Sequence, residues 1–313
     1  MNHQKTWLSI LLTVVMLATC CVGFAERVVA DPSLYTVEDF SIAVPEKDGI
    51  PARNIVGKLT IPADTTTPVP CVIMLHGTGS SIDEAGNGYL LSAPEMAAKG
   101  IATARFYFVG NEPETEENYI YYSYTNANED AKTVADFVSA RTEIDADKLG
   151  IMGWSQGGTN ALLAAKVYPD TFKSVVTWAG SLTLNDAGLF GDKTFDEAYQ
   201  IAKDNGYYTM EFGWRTPLNV GEKWFEDVKN TDLVEAIKEI KAPILAINGA
   251  ADTVVFPKDA EIICENATNE LSRKLILPGV DHTYNVFTGD YSDLYETADA
   301  TIAFFLETLN GTK

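Results

Sequence analysis

A mostly parallel β-sheet with helices on both faces, an α/β fold, is what this sequence predicts, and three observations lead there. Val69–Leu75 is a continuous apolar run without alternation, the pattern of a strand covered on both sides. Strand-length apolar runs then alternate with segments of helical periodicity towards the C-terminus, the signature of repeated β-α units with right-handed crossovers. Finally, Gly153-Trp154-Ser155-Gln156-Gly157-Gly158 joins one of these strands to one of these helices through a turn with glycine on either side of a serine.

The elements follow in order. Asp39–Val44 and Ile55–Ile61 are alternating or β-branched runs bounded by Pro45 and Pro62, expected to pair antiparallel and lead into the sheet. Val69–Leu75 ends in a glycine-rich loop, His76-Gly77-Thr78-Gly79-Ser80-Ser81. Ala93–Lys99 reads as a helix stopped by Gly100, and Ile101–Phe108 as the next strand. Within Asn128–Arg141, Ala131, Val134, Ala135 and Val138 recur at the spacing of one buried helical face. Leu149–Met152 is the strand before Ser155, Thr159–Tyr168 the helix after it, and Ser174–Trp178 the strand beyond. Pro243–Asn248, Lys274–Leu277 and a helix over Leu294–Leu309 complete the series.

The rhythm breaks between Trp178 and Pro243, a connection far longer than a crossover needs. There, Thr194-Phe195-Asp196-Glu197 fits a capping box, Phe195, Ala198, Tyr199 and Ala202 share one face, and Asn205-Gly206 stops the helix. Leu233, Ala236, Ile237 and Ile240 make a second amphipathic face. The stretch before it, Ser181–Asn230, reads as an aromatic-rich insertion whose rings are expected mostly to form its own core.

With 313 residues the chain has length for a sizeable core in one large domain or two small ones. Its 23 Lys and Arg against 44 Asp and Glu give a net charge of −21 without any basic cluster, which disfavours nucleic acid and anionic membrane as partners. Lys5, the apolar Trp7–Ala18 and the small residues after it have the layout of a secretory signal peptide, too short to span a bilayer. Gly23-Phe24-Ala25 offers cleavage before Glu26, giving a leader over residues 1–25 and an exported protein, with Ala30 the second choice. Leu17-Ala18-Thr19-Cys20 offers a rival, a lipobox in which Cys20 is lipidated and tethers the protein to a membrane. Cleavage after Ala25 leaves Cys71 and Cys264, either a disulfide or two buried thiols. No Cys/His spacing suggests a metal site.

A serine hydroxyl is a poor nucleophile without an adjacent base, and that base needs an acid to fix its tautomer. Of the three histidines, His3 lies in the leader and His76 in the glycine-rich loop, where it is expected to brace the backbone. His282 remains, in Pro278–Tyr284 directly after the last strand. Asp252, the first carboxylate after the strand Ile244–Ile247, is the expected acid. Asp281 is its rival, but chain neighbours point to opposite sides, so it is badly placed to meet the ring of His282. The oxyanion of an acyl-transfer intermediate needs N–H donors. That of Gln156 follows the serine, and that of Thr78 in the glycine-rich loop is expected to be the second.

With these pieces in place, the chain from about Pro70 onward resembles the α/β-hydrolases, specifically serine esterases of the dienelactone-hydrolase-like kind. Arg105–Gly110, Trp154–Gly158, Asn248–Val255 and Gly279–His282 are similar to the corresponding stretches of bacterial cinnamoyl and feruloyl esterases, and the order Ser, Asp, His along the chain is that of the family. The resemblance implies an α/β-hydrolase domain over 26–313 with a small cap at about 181–230. It implies a triad of Ser155, Asp252 and His282 that cleaves carboxylic esters without cofactor or metal. Tyr107 stands where those esterases usually carry Asp, and the cap sequence matches none of them. The aromatic cap, with Phe106, Tyr107 and Trp154, suggests a short-chain or hydroxycinnamoyl ester, with Tyr107, Trp154 and Trp214 as substrate contacts. An oligopeptidase-like amidase shares the same motifs, and a non-catalytic binding protein on this scaffold is a third reading.

Overall fold

The computed structural model describes residues 30–113, 115–182 and 189–310. The predicted leader, Cys20 with its lipobox, and residues 183–188 of the predicted cap lie outside the described residues.

Strands β1 (Tyr35–Val44) and β2 (Arg53–Pro62) pair antiparallel, as their alternation predicts. The chain then runs through β3 (Val69–Leu75), α1 (Gly88–Ala98), β4 (Ala102–Phe106), α2 (Tyr124–Ser139), β5 (Ile144–Trp154), α3 (Gln156–Val167) and β6 (Phe172–Trp178). The long connection holds α4 (Phe195–Asn205), a hairpin of β7 (Tyr207–Met210) and β8 (Leu218–Gly221), α5 (Glu222–Asn230) and α6 (Leu233–Lys238). The last elements are β9 (Ile244–Gly249), α7 (Pro257–Asn266), β10 (Arg273–Leu277) and α8 (Ser292–Asn310). Helix α1 begins at Gly88, before the predicted Ala93, and carries Pro94 inside it.

The main sheet has eight strands in the order β1-β2-β4-β3-β5-β6-β9-β10, and β4-β3-β5-β6-β9-β10 run parallel throughout. Strand order reverses at β3, with β4 on one side of it and β5 on the other. Open α/β sheets bind ligands at such a switch point, outside the carboxyl ends of the strands. The continuous apolar run of β3 follows from period-2 geometry. Ile73 and Leu75 enter the core shared with α2, α3 and the cap, whereas Val72 and Met74 enter the core under α1 and α8.

The cap packs on itself. Phe190, Trp224 and Phe225 are buried, Phe225 stacks on Tyr199 at 5.6 Å, and the Phe195 ring lies 5.3 Å from that of Phe225. Thr194 and Glu197 form the predicted capping box. The cap also rests on a segment that the sequence does not flag, the 3-10 turn Glu116–Tyr121. Gly221 lies so close to it that a Cβ there would sit 2.0 Å from the Ile120 carbonyl oxygen. Cys71 is buried on β3 and Cys264 half-buried on α7, and both are free thiols, so of the pair Cys71 alone matches the reading as buried thiols. Burial pushes the Cys71 thiol up to about 12, leaving it inert. Among the described residues, no helix is long and apolar enough to cross a membrane.

Candidate active site

Ser155 joins β5 to α3 with φ 55° and ψ −124°, in backbone space that L-residues occupy only under strain. Its N–H donates to the Trp178 carbonyl at 2.8 Å, which pins the turn to β6. The flanking glycines are required by distance. A Cβ at Gly153 would lie 2.0 Å from the Gly157 oxygen, and one at Gly157 would lie 2.2 Å from the Leu75 oxygen. Because backbone on both sides blocks relief, Gly153→Ala is expected to destabilise the protein by about 3 kcal/mol or more in urea unfolding.

His282 Nδ1 meets Asp252 Oδ2 at 2.8 Å. Asp252 is buried. Its Oδ1 accepts from the Val254 and Val255 N–H groups at 2.8 and 2.9 Å, so the carboxylate is aimed by its own loop. With Nδ1 donating to Asp252, the Nε2 of His282 is the basic nitrogen left to face a nucleophile. The rival, Asp281, spends its Oδ1 on the N–H and hydroxyl of Thr283 and the N–H of Asn285, and so shapes the turn after His282.

Thr78 Oγ1 donates to Gln156 Oε1 at 2.8 Å, which ties the glycine-rich loop to the first residue of α3. Neither the Thr78 nor the Gln156 backbone N–H finds an acceptor among the described residues. Two open donors beside a helix N-terminus form a pocket for negative charge. His76 is buried behind this loop, its Nδ1 donating to the Gly77 carbonyl at 2.8 Å and its Nε2 accepting from Phe108 N–H at 3.2 Å. Burial lowers it to about 4, so it is a neutral brace.

The three residues predicted as substrate contacts separate. Trp154 is 2 % exposed and does not line the site. Its side chain points to the other face of the sheet from Ser155, into a ring cluster with Tyr89, Trp178 and Tyr284, and its Nε1 donates to the His282 carbonyl at 3.1 Å. Its part is to hold the histidine loop. Tyr107 is half-buried, its ring centroid 6.3 Å from that of His76 in an edge-on arrangement. Trp214 is 65 % exposed in the β7–β8 turn. Next to it, Arg215 donates to the Gly79 carbonyl, linking the cap to the glycine-rich loop.

Sequence reasoning misses Glu84. The structure buries it against Gly77, and nothing in Ser81-Ile82-Asp83-Glu84-Ala85-Gly86 signals that burial.

The sequence profile of the prolyl oligopeptidase family matches residues 117–312. An uncharacterized protein, YfhR of Salmonella typhi, is 26 % identical over 217 residues, which cover 63 % of this chain and 65 % of that protein. The match thus spans about two thirds of that relative's length. Est1E from Butyrivibrio proteoclasticus, in a structure with ferulic acid bound, superposes with a TM-score of 0.68 at 18 % identity, covering 86 % of this chain and 100 % of that one. A puromycin-hydrolyzing peptidase of Mycobacterium tuberculosis superposes with a TM-score of 0.63 at 18 % identity, covering 88 % of this chain and 40 % of that one.

Proposed function

The chain belongs to the prolyl oligopeptidase family of α/β-hydrolase-fold serine hydrolases, and from that premise we propose that it is an exported esterase acting on short-chain or hydroxycinnamoyl carboxylic esters. The observation that carries the reading is a serine in a strained elbow, with a histidine–aspartate pair at 2.8 Å and two open N–H donors at the same strand ends. In this reading His282 takes the Ser155 proton as the hydroxyl attacks the acyl carbon. Thr78 and Gln156 N–H groups hold the oxyanion, and His282 then protonates the leaving alcohol. Water activated by the same nitrogen releases the acid.

An apolar acyl group fits what surrounds the site. Val254 and Phe256 after Asp252, Phe287 after His282, and Trp214 on the cap are all exposed, Phe287 by 76 %. Est1E, whose solved structure holds ferulic acid, has the same fold and adds support for an aryl acid. Export rests on the leader pattern of residues 1–25 and, in its anchored form, on Cys20.

An amidase of the same mechanism is favoured by the family itself and by the peptidase neighbour. A panel varying acyl group and alcohol independently, run beside peptide amides, separates the two readings. Aryl and short acyl esters are expected to turn over faster than any amide. Faster amide turnover gives the site to the second reading, and a fluorophosphonate that fails to label the wild type removes both.

A further inference from the structure

Glu84 combines two costs in one residue. Its backbone sits at φ 61° and ψ −179°, a region that belongs essentially to glycine. Its carboxylate is also buried, where an ionised group is penalised unless it is fully hydrogen-bonded. A residue that is both strained and charged in the interior persists when the surroundings hold it for a purpose.

The surroundings are specific. Oε1 accepts from the Gly77 N–H, the residue before Thr78. Oε2 accepts from the Ser80 hydroxyl at 2.7 Å and from the Ala85 N–H at 3.0 Å. One carboxylate therefore holds both ends of the glycine-rich loop. A Cβ on Gly77 would lie 3.3 Å from Glu84 Oε1 and 3.3 Å from Ser155 Cβ, so only the width of that glycine separates the carboxylate from the serine. The segment is also wedged against the opposite wall of the site. A Cβ on Gly86 would lie 2.4 Å from Val286 in the histidine loop, and one on Gly88 would lie 2.6 Å from the Trp154 ring. Arg105 on β4 anchors the preceding residue, Asp83, at 3.0 Å.

We propose that Glu84 is a positioning residue for the oxyanion site, its ionised carboxylate fixing the Gly77–Ser80 loop so that the Thr78 N–H is aimed at the developing charge. The proposal rests on the reading of Ser155 as nucleophile and of Thr78 and Gln156 as oxyanion donors. It extends that reading to a buried acid outside the triad. Ionised, the carboxylate accepts all three of its hydrogen bonds. Once Oε2 is protonated it becomes a donor, the Ser80 hydroxyl can rotate to receive it, and the Ala85 N–H loses its acceptor.

Burial pushes the Glu84 carboxyl up to about 7, against the hydrogen bonds from Gly77, Ser80 and Ala85. The titratable and charged groups around it are His282 from the histidine loop, Tyr89 from α1, and the adjacent Asp83–Arg105 pair. Because this folded-state value lies above the ordinary carboxylate range, the native protein holds a proton there that the unfolded chain has lost. The stability contributed is present at low pH and is lost as pH rises through about 7. The form that orders the loop is thus the form that costs stability.

The test compares wild type, Ser155→Ala, Glu84→Gly and Glu84→Gln on an aryl acetate and in the rate of labelling by a fluorophosphonate. In Glu84→Gly, where φ 61° suits glycine, kcat and the labelling rate are expected to fall about 30- to 100-fold, with KM within about threefold and a melting temperature no lower than wild type. Glu84→Gln keeps an acceptor for Gly77 and is expected to lose only about tenfold. Its kcat profile should follow one proton on the acid side where the wild type follows two. Its stability relative to wild type should rise between about pH 5 and 8. If Glu84→Gly keeps kcat within threefold, or if both variants lose melting temperature and KM rises with the loss of rate, the positioning role is wrong. A Ser155→Ala protein that still hydrolyses the ester overturns the underlying site together with this proposal. A dead Ser155→Ala beside an active Glu84→Gly overturns the proposal alone.

Discussion

Ser155→Ala is expected to lower kcat on any ester substrate by about 10⁴-fold or more and to abolish fluorophosphonate labelling, with the melting temperature unchanged or raised. The size follows from what the serine does. Without its oxygen no acyl-enzyme forms, and the rate that remains comes from oxyanion donors and bound water. The stability side follows from the backbone: φ 55° is held by the Trp178 hydrogen bond and by the packing of Gly153 and Gly157, none of which involves the hydroxyl. Steady-state kinetics beside a thermal melt checks both halves. A variant that loses stability along with activity would mean that the hydroxyl also holds the turn.

Asp252→Asn is expected to lower kcat by about 10³- to 10⁴-fold with little change in KM. The hydrogen bonds around the side chain dictate why. The oxygen that meets the Val254 and Val255 N–H groups must remain an acceptor, so an asparagine places its oxygen there and turns its NH₂ towards His282. Nδ1 must then accept, the ring proton moves to Nε2, and the nitrogen facing the serine can no longer take its proton. Asp281→Asn serves as the contrast. Among the described residues the Asp281 carboxylate accepts from Thr283 and Asn285, so its loss is expected to cost less than about tenfold. The two variants, measured on one ester, decide between the neighbouring carboxylates.

Much of this site is legible in the sequence because backbone packing leaves little choice of residue. Gly153 and Gly157 are readable since any side chain there would strike a carbonyl, and Asp252 and His282 are readable because each lies in the loop that follows a strand. Trp154 is the instructive error. Proximity to Ser155 along the chain suggests a substrate contact, but successive residues of an extended chain face opposite sides, and the ring belongs to the α1–α8 core. Glu84 was hidden for a different reason. Nothing local marks a loop glutamate as buried. Its burial is set by Gly77 and by the histidine loop, far away in sequence. The floor of the cap at Glu116–Tyr121 is invisible likewise, since its contact with β8 is tertiary.

The sheet divides the support of the site between two separate cores. The rings that hold the histidine loop, Trp154, Trp178, Tyr89 and Tyr284, lie with α1 and α8, while the cap aromatics Phe190, Trp224 and Phe225 pack with the other face. Among the described residues, no cap aromatic belongs to the core that carries the hydrogen bond from Trp154 to His282. The cap reaches the glycine-rich loop through Arg215 but, among the described residues, shares no buried ring with the histidine loop.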